Sequence, residues 1–391
     1  MARLELPVEY TDGIKMVEID SRLQCRESPN SVEIDTGQLA LSIARTGPNL
    51  FRNIAWKGIE ILRHTAVSEF TATDGDGTEF DSHIDSVEIE EHNPLRIVLL
   101  VKGRYRNRNG APFMSWVTRL YCFAGKPYVK LYHTFVQDTA AQSVELRRMR
   151  ISLTPDLGGE VGAALGAKSA QSPHGYEFSG IAEPITLTQL MVGQHVLDHG
   201  SPTVFDGNAH GWVCVGNRNA AVTIKLRRPW QNYPKAYRVG PEELSLDLYP
   251  DTTGGESVRS GSQAGAVYEG PLRIPQGMAK THELVIQLGP AGTHPRSVDY
   301  QMLALEQPLL LNLTSEHYAT SGVFGSLPTV SDRYWPLEMK LRELCKPPGG
   351  LGILNYGDEV SLRMVDGRLQ TRTTENLAYD LPSSLLRQSL R

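Results

Sequence analysis

Hydrophobic and polar residues alternate with a period of two through most of the chain. Val32, Ile34, Leu39, Leu41 and Ile43 alternate with polar neighbours around a Thr36-Gly37 turn. Val87 and Ile89 continue the pattern, followed by a β-rich run over 95–105. Runs at 116–123 and 128–135 flank Ala124-Gly125-Lys126-Pro127, which has hairpin-turn composition. Similar short runs recur at 151–153, 212–215, 221–226, 244–248 and 284–288. A two-residue period sends one face of each strand into a core and the other into water. The pattern therefore predicts a mainly β protein, an antiparallel β-sandwich, over 31–297. The Gly-, Ala- and Ser-rich stretch 157–175 reads as a long loop.

Near residue 297 the period lengthens. Val298, Met302, Leu303 and Leu305 have helical spacing before Pro308, as do Trp335, Leu337, Met339, Leu341 and Leu344 before the 346–350 breaker. Residues 377–391 read as one more helix, with Leu385, Leu386 and Leu390 on its apolar face. No partner for that face follows, so the pattern leads to the expectation of a truncated chain whose last helices lack part of their packing surface.

The chain has 391 residues, 39 Lys+Arg against 44 Asp+Glu, and a net charge of −5. Without a basic excess, neither nucleic acid nor an anionic membrane is an expected partner. The acidic residues among the first twenty leave no signal-peptide core, and no apolar run reaches membrane-spanning length. A cytoplasmic address is the expectation for the chain as written. Cys25, Cys122, Cys214 and Cys345 are far apart and read as buried free thiols. Asp74-Gly75-Asp76-Gly77 lacks the further oxygen ligands of a calcium loop and reads as a hairpin turn. No cofactor is expected, although a divalent cation such as calcium stays open. The nucleophile elbow, the Walker loop and the dinucleotide fingerprint are all missing from the sequence.

Recognition chemistry concentrates at 205–238. His210 and Trp212 precede Arg228, Trp230, Gln231, Tyr233 and Lys235. Flat aromatic faces suit the apolar face of a sugar ring, while amides and cations suit hydroxyls and carboxylates. The alternative is a Pro-rich strand exit whose Trp seals the end of the sandwich. A second polar-aromatic group comprises His317, Tyr318, Arg333 and Trp335. His210 and His317 are the candidate proton-transfer groups, and the substrate-binding candidates are Trp212, Arg228, Trp230, Gln231, Tyr233, Lys235, Tyr318, Arg333 and Trp335.

Several phrases, taken in order, resemble one family. They are Arg119 to Pro127 with His133-Thr134-Phe135, then Trp230-Gln231-Asn232-Tyr233-Pro234-Lys235, Leu248-Tyr249-Pro250 and Ala279-Lys280-Thr281-His282-Glu283. Asn355-Tyr356-Gly357-Asp358 and Tyr379-Asp380-Leu381-Pro382 complete the set. Together they resemble the exo-rhamnogalacturonan lyase-like (PcRGLX/YetA-like) family. That resemblance implies an N-terminal β-barrel, of which 1–30 would be a remnant, a central sandwich of the galactose-mutarotase-like supersandwich kind over 31–297, and an α/α toroid beginning in the short helical segment 298–391. It also implies a lyase that cleaves acidic, rhamnose- and uronate-containing polysaccharide by β-elimination, with acidic glycan as partner. A non-catalytic carbohydrate-binding fragment is the alternative, and a sugar epimerase or glycoside hydrolase stands behind it.

Overall fold

The computed structural model describes residues 23–62, 69–170, 172–252, 270–290, 292, 294–307, 313–325, 335–337, 339, 351–354, 359–365 and 368–374. Residues 1–22 of the expected N-terminal remnant lie outside these residues, as do Asn355-Tyr356-Gly357-Asp358 and the helix expected at 377–391. Of the helix expected from Trp335, residues 335–337 and 339 are helical, and Trp335, Leu337 and Met339 are exposed.

Five strands between Gln24 and Leu62 form a simple antiparallel meander. The strands from Phe70 to Gly289 then pair into a second, much larger antiparallel system. The predicted alternation is the reason. In strand Tyr128–Val136 the residues Val129, Leu131, His133 and Phe135 are buried, while Tyr128, Lys130, Tyr132 and Thr134 face outward. Its neighbours Pro112–Phe123 and Ala279–Gly289 follow the same rule, and one contiguous apolar core fills the space between the layers. The 124–127 turn forms as expected, with Gly125 at φ 67°. So does the Asp74–Thr78 turn, where the Asp74 carboxylate takes the amides of Asp76 and Thr78. Cys122 and Cys214 are buried free thiols and Cys25 is a half-buried one.

The loop expected at 157–175 is corrected in part. Gly162–Ala167 is a strand, paired with Tyr176–Phe178 and with Ala209–Gly216. Its small residues have a packing cause. A Cβ on Gly166 would stand 2.4 Å from the Trp212 indole, so glycine is what lets that ring lie on the strand.

Helix α1 (Pro295–Glu306) starts with proline at its first turn and stops before Pro308, which disfavours helical geometry at the preceding residue. Val298 and Met302, one turn apart, pack on Ala164, Trp212, Cys214 and Ala221. Each such burial is worth about 1.5–3 kcal/mol. This fixes α1 across the outer face of one layer. A short helix α2 (Ser315–Ser321) follows, and a two-stranded hairpin pairs Glu359–Val365 with Arg368–Thr374. Among the described residues no helix is long and apolar enough to cross a membrane.

Candidate functional site

The sequence phrases around Trp230, Tyr249 and His282 do converge, through Lys235 Nζ on Leu248 O and Lys280 Nζ on Asn232 Oδ1, but they turn most of their side chains inward. Trp230–Asn232 is a 3₁₀ turn leading into strand Lys235–Gly240. Register then sends Lys235, Tyr237 and Val239 toward the core, opposite Leu246 and its inward neighbours.

Lys235 is completely buried, and its Nζ donates to the carbonyls of Asn232, Pro234 (2.9 Å) and Leu248 (2.7 Å). Burial, with the nearby Lys280, pushes its ammonium well below the usual lysine range. Tyr233 is equally buried. Neither can meet a glycan, so the expectation that they are surface ligands is corrected: both tie the chain into the sandwich end. Trp212 is corrected likewise, since its indole is fully buried and its Nε1–H donates to Asp299 at 2.9 Å.

Arg228 stays exposed, with φ +50° and its backbone N–H on Glu306. Trp230 and Gln231 are half-buried. Residues 352–353 lie along this turn, Gly352 N donating to Gln231 O and Ile353 N to Tyr233 O. His317 is exposed on α2, and Tyr318 packs its ring on Phe324. Arg333 lies outside the described residues.

Around α1 a different constellation assembles. The Asp299 carboxylate accepts from His210 Nδ1 at 2.8 Å, from Trp212 Nε1 at 2.9 Å and from His174 Nδ1 at 3.1 Å. Burial alone would raise its pKa, but these three donors outweigh it and hold the carboxyl at about 2. Both imidazoles are half-buried, and among the described residues neither Nε2 has a protein partner. A carboxylate on Nδ1–H fixes each ring in the tautomer whose Nε2 can take or deliver a proton.

Seven residues along the same helix edge, about 10 Å at helical rise, Glu306 pairs with Lys225 at 2.7 Å and takes the Arg228 amide. Lys225 also donates to His210 O. His210 and Arg228 are thus both coupled to α1, His210 at Asp299 near its middle and Arg228 at Glu306, its last residue. The sequence singled out His210 and Arg228, but it missed His174, Asp299, Lys225 and Glu306. The available signal was the pair of acids at 299 and 306, two turns apart on one edge of a predicted helix. His174 carried no signal at all.

His282 and His133 are buried opposite each other in the core. His133 is satisfied by Tyr105 and Thr118, whereas both ring nitrogens of His282 lack a partner among the described residues. A broad groove of about 730 Å³ runs between Gly158, Glu160, Gly180 and Arg218, away from all of these candidates. No group of three or more His, Cys, Asp or Glu able to hold a metal occurs among the described residues.

Residues 23–161 match the family model described as the PcRGLX-like protein central beta sandwich domain. No curated protein matches the chain in sequence. Among solved structures, an α-galactosidase from Lactobacillus brevis is similar at 10% identity, over 78% of this chain and 47% of its own, with a TM-score of 0.41. The galactosidase domain of an α-galactosidase-sucrose kinase is similar at 7% identity, over 69% and 42%, with a TM-score of 0.45. A putative aldose 1-epimerase from Klebsiella pneumoniae is similar at 10% identity, over 71% and 83%, with a TM-score of 0.41. The chain spans less than half the length of the two galactosidase structures.

Proposed function

We propose that this is a carbohydrate-active protein that takes an acidic, uronate-containing polysaccharide and cleaves it by β-elimination, with His210 and His174 as the proton-transfer groups. The observation that carries this reading is the sharing of the Asp299 carboxylate by two imidazoles, each with Nε2 left for a substrate. The match of residues 23–161 to a PcRGLX-like central domain supports the substrate class.

Elimination needs three services, and this chain's residues divide them. The Arg228 guanidinium neutralises the uronate carboxylate, which acidifies the carbon-bound proton beside it. One imidazole Nε2 removes that proton, and the C–H electrons form the new double bond as the bond to the glycosidic oxygen breaks. The other imidazole, protonated, delivers its proton to the departing oxygen. Asp299 remains ionised throughout and balances the charge exchanged between the rings. Trp230 and Gln231, beside Arg228, supply a ring face and an amide for the neighbouring sugar.

The test is product analysis with rhamnogalacturonan and ulvan oligosaccharides. Ultraviolet-absorbing unsaturated ends are expected, and His210→Asn is expected to slow their release by roughly 10²–10⁴-fold. Products carrying added water, products of unchanged mass, or His210→Asn turning over at the wild-type rate would each overturn this reading. Binding without any product would favour a non-catalytic carbohydrate-binding protein.

A further inference from the structure

Strands Pro112–Phe123 and Tyr128–Val136 present a second surface that the site around α1 does not use. Their inward residues fill the core, while Tyr121, Phe123, Tyr128, Lys130 and Tyr132 stand half-buried on the outer face. The rings group into two pairs. Tyr121 meets Tyr132 edge to face, with centroids 5.2 Å apart at 69°, and Phe123 meets Tyr128 at 5.8 Å and 51°.

Lys130 sits between the pairs. It is directly opposite Tyr121 across the ladder and two residues from Tyr128 and from Tyr132. The neighbouring guanidiniums are each paired with a carboxylate, Arg96 with Glu91, Arg119 with Glu90 and Arg227 with Glu283, and Arg96 also lies over one face of the Tyr121 ring at 5.7 Å from its centroid, which leaves the other face for a ligand. Lys130 has no carboxylate partner among the described residues. Its ammonium donates to Leu305 O at 3.3 Å, which leaves two further N–H groups. An aromatic surface divided by one uncompensated cation is complementary to an anionic chain of rings. Val285 stands opposite Lys130 on the other flanking strand, and Thr134, Glu283 and Gln287 give the rest of the face polar neighbours that suit hydroxyls.

We propose that this face is a further subsite for a uronate-containing oligosaccharide, with a carboxylate on Lys130 and sugar rings against the two aromatic pairs. The ligand class rests on the function proposed above. The geometry extends it, because Lys130 reaches the C-terminal end of α1 while His210 is held six residues earlier by Asp299. That separation is about 9 Å along the helix. One glycan of a few sugars can therefore lie along α1 and occupy both places.

The experiment is calorimetry on the full chain with a galacturonate trisaccharide and, in parallel, its methyl ester. Lys130→Gln keeps a donor for Leu305 O but removes the charge, and it should weaken the free acid about tenfold, the scale of one charge-assisted hydrogen bond. Lys130→Arg should restore affinity to within about threefold. Binding of the methyl ester should not respond to Lys130→Gln. Tyr121→Ala should weaken both ligands, and it decides the matter if Lys130→Gln fails to fold. Failure of the wild type to bind the acid overturns the proposal, as does a folded Lys130→Gln that binds it as tightly as wild type. Binding through Lys130 with no release of unsaturated product overturns the elimination reading and leaves this subsite standing.

Discussion

Replacing Asp299 by alanine tests the centre of the proposed site and the anchoring of α1 together. The carboxylate satisfies three donors, and their surroundings differ. The Trp212 indole is fully buried, so its orphaned N–H costs about 1–3 kcal/mol. The two imidazoles are half-buried and can recover water, each losing about 0.5–1 kcal/mol. The total is about 2–5 kcal/mol at neutral pH. At roughly 2–4 °C per kcal/mol for a large domain, the melting temperature should drop by several degrees. A pH signature accompanies this. The carboxyl titrates at about 2 when folded and at 3.8 ordinarily, so its stabilisation is complete above about 4 and is lost as pH falls toward 2. Allowing for screening at a half-buried position, that loss is about 1–2 kcal/mol. Thermal melts of wild type and Asp299→Ala should therefore differ most at pH 7, and the gap should narrow by about 1–2 kcal/mol toward pH 2.5 without closing, since a protonated carboxyl still accepts from Trp212. Hydrogen exchange should show the amides of α1 and of strand Ala209–Gly216 losing protection first. Superimposable melts at pH 7 would refute the reasoning, because Asp299 would then hold neither the helix nor the histidines.

Further predictions concern two buried polar groups, Lys235 and His133. Lys235→Met should destabilise by about 2–4 kcal/mol, since three buried carbonyls lose their donor, whereas a surface lysine would cost almost nothing; a denaturant titration reads the difference. Wild type should also gain stability as pH rises toward the ordinary lysine value, because the unfolded chain holds a proton that the buried amine releases, and Lys235→Met should lack that slope. Burial lowers His133 to about 3, so the folded protein resists protonating it and stability should fall by roughly a few kcal/mol as pH drops from 6.5 to 3. His133→Gln should flatten that slope in urea titrations across the same window.

What the sequence determined by itself was whatever depends on period and local turn chemistry. Alternating residues such as Val129, Leu131 and Phe135 fix which face of a strand is buried, because successive side chains must point to opposite sides. The turns at Gly37, Gly77 and Gly125 were legible for the same local reason, each glycine having positive φ. Only the tertiary structure decided which polar residues meet. The residues from Arg228 to Lys235 read as one glycan-binding segment, yet strand register turns Lys235 inward, the 3₁₀ turn leaves Trp230 half-buried, and of the two cations Arg228 and Lys235 only Arg228 stays exposed. His174, His210 and Asp299 are far apart in the chain and carry no shared motif. They come together because Val298 and Met302 bury their apolar stripe against Ala164, Trp212, Cys214 and Ala221, where Gly166 lets the Trp212 ring lie on its strand. Burial of that stripe fixes the rotation of α1, and the rotation points Asp299 at the histidines.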